Sequence, residues 1–181
     1  MVPSITSSLS RNSIDITRAL PPAWWIAALL LLVAELMQVT IFHRLVIRNV
    51  EMSIVLVTVV WYASRVDLVY AGMFGLAAGL IEDALSGHTG AAWTISTTIV
   101  ALATSALSRG FFADSYPLVA TITVAATLVR DLIFWIVMGF EGYPSGLAGM
   151  HTREAMFQSI LNGLLMMVVL WLSRRIRERY A

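Results

Sequence analysis

The sequence predicts an all-α integral membrane protein, a single bundle of six transmembrane helices. Three observations point there. Of 181 residues, 59% are hydrophobic and only 13% charged, with a mean hydropathy of +0.80; a soluble domain carries roughly 45–50% apolar and about 25% charged residues. The apolar residues fall into six runs near the length of about 20 that crosses roughly 30 Å of hydrocarbon. The arginines between the runs are distributed unevenly, as loops on opposite sides of a membrane are.

Residues 1–22 are polar, rich in Ser and end in Pro21-Pro22. Arg11 and Arg18 precede an apolar run, superficially like a secretory signal. The run continues to Phe42, contains Glu35 and Gln38, and is followed by no small-residue cleavage site. It reads as a retained first span behind a polar tail. The spans are Ala23–Phe42, Val50–Ser64, Leu68–Ser86, Ala91–Ser108, Tyr116–Phe140 and Glu154–Ser173. The second is short and is expected to borrow a turn at each end. Only Arg65-Val66-Asp67 separates it from the third, which predicts a tight antiparallel hairpin. Glu141–Arg153, with three Gly and one Pro, reads as an exposed loop, and residues 174–181 as a basic end. Trp24, Trp25, Tyr62, Tyr70, Tyr116, Tyr143, Trp171 and Tyr180 lie near span ends, as an aromatic belt does.

With six spans both termini share one side. Arg11, Arg18, Arg65, Arg109, Arg174, Arg175, Arg177 and Arg179 lie there, eight in all; Arg44, Arg48 and Arg153 lie opposite, and Arg130 falls within a span. Eight against three predicts cytoplasmic termini in a plasma (inner) membrane, with Arg174–Arg179 against anionic headgroups.

This topology assigns depths. Glu35 and Gln38 fall in the outer half of span one, Glu82 and Asp83 near the outer end of span three, and Thr94, Ser96, Thr97 and Thr98 at the outer start of span four. Arg130 and Asp131 lie past the middle of span five, and Gln158 and Asn162 in the outer third of span six. The inner half is nearly all aliphatic. A charge at the bilayer centre costs about 2.5–3.5 kcal/mol on insertion scales, so such groups face protein or trapped water. Glu35, Gln38, Arg130, Asp131 and Gln158 therefore form a candidate outer-half polar cluster around a cavity or groove. The plainer alternative is that several merely reach to the outer interface, Glu82 above all. Four acids against one Arg leave excess negative charge. Either Arg44, Arg48 or Arg153 folds over the site or one acid keeps its proton, and losing Arg130 is expected to cost more than losing Glu82.

Span three carries the most specific pattern. Gly75, Gly79, Asp83 and Gly87 recur every four residues, with Gly72 one shorter step earlier. Residues four apart share a helix face, so the series makes a smooth groove for a close helix, with a carboxylate near its top. Ser86-Gly87 is expected to end the helix, Gly87 in the left-handed conformation.

The stretch from Gly72 through Gly75, Gly79, Glu82-Asp83 and Ser86-Gly87 to Gly90 resembles the signature of the rod shape-determining protein MreD family. Arg130-Asp131 through Trp135 is similar to that family's fifth span, and Gln158 through Asn162-Gly163 with the Arg-rich end to its sixth. The resemblance runs from about Ala23 to Tyr180; the longer tail and the paired Glu82-Asp83 depart from it. It implies a non-enzymatic scaffold of the bacterial cell-elongation complex, bound to a single-span MreC-like partner. Through that partner it would reach the MreB filament, a SEDS glycosyltransferase and a penicillin-binding transpeptidase. It also implies a fold like the substrate-binding subunits of energy-coupling-factor vitamin transporters. Gly72, Gly75, Gly79, Asp83 and Gly87 would form the partner face, with Asn162-Gly163 a second close contact and Asn162 donating to a carboxylate. The alternative function is a small-molecule-binding membrane subunit of a vitamin-type importer.

Other chemistries are not expected. No Cys is present, so disulfides and thiolate sites are excluded. His43, His88 and His151 are widely spaced. Asp83, Ser86 and His88 lie too close along one helix end to assemble a catalytic triad. No cofactor, metal or nucleic-acid partner is predicted, and no Walker, GxSxG or dinucleotide pattern occurs.

Overall fold

The computed structural model describes residues 24–47, 50–87, 89–108, 115–144 and 148–180. The tail 1–22, with Arg11 and Arg18, lies outside them, as do Arg48, His88 and Arg109. In chain order the elements are α1 (Trp24–Thr40), a 3-10 turn (Phe42–Arg44), β1 (Val46–Ile47), β2 (Val50–Glu51), α2 (Ile54–Ala63), α3 (Leu68–Ser86), α4 (Ala92–Ser108), α5 (Tyr116–Phe140) and α6 (Ala148–Tyr180). Among the described residues, four segments are helical, long and apolar enough to cross a membrane: Trp24–Arg44, Leu68–Ser86, Tyr116–Phe140 and His151–Ile176. Large apolar side chains such as Leu32, Val69, Met73, Leu132, Leu164 and Val168 are exposed along these helices, a surface suited to lipid and far in excess of what water tolerates.

The second predicted span is corrected most. α2 has 10 residues, a rise of about 15 Å, and does not cross the hydrocarbon alone. Residues 50–51 instead pair with 46–47 in an antiparallel ribbon, Val46 opposite Glu51 and Ile47 opposite Val50. Ser53 sets the helix start: its Oγ accepts the Leu56 N–H at 3.1 Å, an N-cap that satisfies a first-turn donor. α2 is also the centre of the bundle. Val55 and Val59 pack with Leu31, Tyr62 and Phe74 toward α1 and α3. Leu56, Val57 and Val60 pack with Val100, Val119, Met166 and Leu170 toward α4, α5 and α6. Its continuous apolar run therefore reflects burial in protein on all sides rather than contact with lipid.

α3 and α4 form the most extensive helix pair, followed by α5 with α6 and α4 with α5; α1 rests on α2 and α3. Gly87 ends α3 at φ 71°, its N–H bonded to the Asp83 carbonyl, as the sequence predicted. α6 begins at Ala148 rather than Glu154 and continues through the arginines, where Arg174 pairs with Glu178 at 2.7 Å. The loop before it is correspondingly shorter than predicted. Tyr62 leaves the predicted aromatic belt: it is 5% exposed and stacks on Phe74 at 4.3 Å.

The glycine ladder faces the chain's own α4 instead of a free surface. A Cβ at Gly75 would meet Ala101 at 2.6 Å, and one at Gly79 would meet the Trp93 carbonyl at 2.7 Å. Gly72 lies under the flexible Leu102 side chain, while Gly87 has open space. Gly163 likewise lies against Val124 of α5. The small residues let backbones approach closely, and the close partners are intrachain.

Candidate functional site

The non-helical segment ahead of α2 leaves backbone groups without helix partners at the depth of the bundle. Irregular backbone is tolerated there only when protein satisfies it. Gln38 of α1 does so twice, donating from Nε2 to the Met52 carbonyl at 3.2 Å and accepting the Ile54 N–H at 2.9 Å. From α6, Gln158 donates to the Glu51 carbonyl at 2.8 Å, and Asn162 accepts the Ser53 N–H at 2.9 Å. The Asn162 amide donates to Thr127 Oγ1 at 3.2 Å. The predicted bond from Asn162 to a carboxylate is thus replaced by one to a hydroxyl, because Thr127 of α5 is the acceptor on the facing helix.

One step toward α3 sits a buried ion pair. Arg130 Nη2 donates to Glu82 Oε1 at 2.7 Å, with side chains only 6% and 12% exposed. Arg130 Nη1 reaches Ser53 Oγ at 3.3 Å, and its guanidinium lies 4.4 Å from the Trp93 ring centroid. Thr97 donates to Glu82 Oε2 at 3.3 Å. Trp93 in turn stacks on Phe134 at 4.1 Å. Planar Arg suits such a site, because it bonds in its plane and stacks across it. Glu82, read as the acid best placed to reach the interface, is instead the counter-ion of Arg130.

Its neighbour Asp83 points the other way, to the start of α4. Its carboxylate accepts the N–H groups of Trp93 (3.1 Å) and Thr94 (2.8 Å) and the hydroxyls of Thr89 (2.8 Å) and Thr94 (2.6 Å). A carboxylate on first-turn donors complements both the orphan amides and the helix dipole. Adjacent acids thus divide between two tasks: Asp83 holds α4, and Glu82 holds α5.

The Arg130–Glu82 pair and the two glutamines border a cavity of about 380 Å³. All five residues of the predicted polar cluster, Glu35, Gln38, Arg130, Asp131 and Gln158, line it. The other walls are Glu82, Ser53, Thr127 and Glu51, with Leu56, Leu85 and Trp93 supplying apolar surface. His43 closes one side and lies 3.0 Å from Glu51. Neither Arg44 nor Arg153 lines it. Ser53, Thr127, Trp93, Glu51 and His43 were missed as site residues. Ser53, a cap residue before an apolar run, was the one signal in the sequence that could have relocated the start of α2 and with it the site. Asp83, Asn162 and Gly163 bind the bundle outside the cavity lining.

Searches against protein-family models, curated proteins and solved structures find no match to this chain.

Proposed function

We propose that the chain is a MreD-like scaffold of the bacterial cell-elongation machinery, acting by association rather than turnover. The observation that supports this reading is where the resembling residues lie. Gly72, Gly75 and Gly79 seat α4, Asp83 caps it, Arg130 ties α5 to α3, and Asn162-Gly163 ties α6 to α2 and α5. The motif residues stiffen one body instead of presenting nucleophile and base to a substrate. With the glycine ladder covered by α4, a MreC-like partner helix docks on the outward apolar faces. In this proposal α2 with its ribbon and α4 complete six crossings, both termini are cytoplasmic, and the MreB filament, a SEDS glycosyltransferase and a penicillin-binding transpeptidase are reached through the partner.

A second reading, a small-molecule-binding membrane subunit of a vitamin-type importer, is favoured by the cavity itself. Its volume falls within the range of about 300–1,000 Å³ usual for ligand sites, and it pairs apolar walls with a few polar groups. Affinity purification from native cells in mild detergent separates the two. Wall-synthesis enzymes with a single-span partner support the scaffold; transporter ATPases overturn it.

A further inference from the structure

Most polar groups around the cavity have partners within the chain; Arg130 Nε and two acids are left over. Gln38 and Gln158 are engaged by backbone, Glu82 by Arg130, and Glu51 faces His43. Glu35 on α1 and Asp131 on α5 remain. Glu35 is only 5% exposed, and its Oε1 has no hydrogen-bond partner among the described residues. A carboxylate withdrawn from water needs a proton or a cation beside it, and a buried polar atom without a partner is rare enough to call for an explanation. Asp131 is half-buried and lines the same cavity. His151, which lies near it, is itself 3.2 Å from Glu154.

We infer that the cavity is a binding site for an organic cation, whose protonated amine is held by Glu35 and Asp131 and whose apolar part lies against Leu56, Leu85 and Trp93. The donor set argues against a metal ion, since among the described residues no three His, Asp or Glu side chains come together as a metal-holding group. An anionic ligand would find one free donor, Arg130 Nε, on a guanidinium already neutralised by Glu82, and would meet two further acids in the same cavity. A primary ammonium supplies three donors and one charge, which matches what the site lacks. The inference rests on the ligand-binding reading of the cavity and is independent of the scaffold proposal, because binding is measured on the purified chain alone.

The test uses the full chain in nanodiscs of zwitterionic lipid, with hexylammonium as probe and 1-hexanol as its uncharged counterpart. Thermal unfolding is followed over a concentration series. Hexylammonium is expected to raise Tm saturably and hexanol to leave it unchanged. Glu35→Gln, which removes an uncompensated charge, is expected to fold with an unchanged or higher Tm and to bind the amine at least tenfold more weakly. Asp131→Asn should weaken binding in the same direction. Equal responses to amine and alcohol in the wild-type chain overturn the inference without reference to any variant. Undiminished amine binding by Glu35→Gln overturns it as well. Recovery of wall-synthesis partners is unaffected by either outcome.

Discussion

The side-chain carbonyl of Asn162 accepts the backbone N–H of Ser53 at 2.9 Å, across 109 positions of sequence. Both groups are buried, and Asn162 has no accessible surface. The bond lets the chain change from ribbon to helix inside the bundle. Asn162→Ala would strand that N–H, at a cost of about 1–3 kcal/mol, while the Thr127 hydroxyl keeps its bond to the Thr123 carbonyl. A lower Tm for the purified variant in detergent is the expected result, and an unchanged Tm would contradict the assigned role.

Arg130 and Glu82 should behave as a unit. Removing one partner of a buried pair leaves the other charge uncompensated and typically costs about 3–5 kcal/mol. Arg130→Met and Glu82→Leu are each expected to destabilise strongly, and to similar extents. The sequence-based expectation that Arg130 matters more is revised, because Glu82 is its partner. The double variant should recover most of the loss, and a double-mutant cycle in denaturant unfolding measures the coupling. Strictly additive losses would argue against the pair.

The glycines should separate by what stands over them. Gly79→Ala drives a methyl into the backbone of Trp93 and Thr94, where overpacking costs about 1–3 kcal/mol. Gly72→Ala meets only a flexible Leu102 side chain and should cost less. Gly139→Ala in α5 meets nothing, and should be neutral or stabilising by up to about 1 kcal/mol from helix propensity. Ranking the three by Tm checks the order.

Asp83→Ala should loosen the start of α4. An N-cap replaced by Ala loses about 0.5–2 kcal/mol, and here two amides and two hydroxyls lose their acceptor together. Hydrogen exchange at Trp93 and Thr94 should accelerate, while exchange within α6 stays unchanged. Equal acceleration in both helices would mean global destabilisation rather than loss of a cap.

The absence of Cys makes the native chain a ready background for topology mapping. With cytoplasmic termini, Tyr143→Cys in the α5–α6 loop should react with a membrane-impermeant maleimide added to intact cells. Asp67→Cys in the α2–α3 turn should react only after lysis. The reversed pattern would invert the orientation.

The polar cluster shows how far a sequence can lead. Depth alone grouped Glu35, Gln38, Arg130, Asp131 and Gln158, since each is too costly to face lipid and all fall at one level, and they do line one cavity. Their individual roles were not legible. Gln38 and Gln158 serve backbone in residues 51–54 whose lack of helix no apolar count reveals, as β-branched runs read alike in a buried helix and in an extended ribbon.

Composition and hydrophobic run length by themselves determined the predominantly helical build, with helices apolar enough to cross a membrane, and the bounds of α3 and α5, because a long apolar run leaves the backbone only itself to bond with. Gly87 likewise marked the end of α3, since only glycine takes the left-handed cap cheaply. The tertiary structure alone decided that α2 is a half-length core helix, that the glycine ladder seats α4, and which neighbouring acid caps a helix and which neutralises Arg130. Those outcomes depend on which groups meet across 6 to 109 positions of sequence, and local pattern contains no record of distance in space.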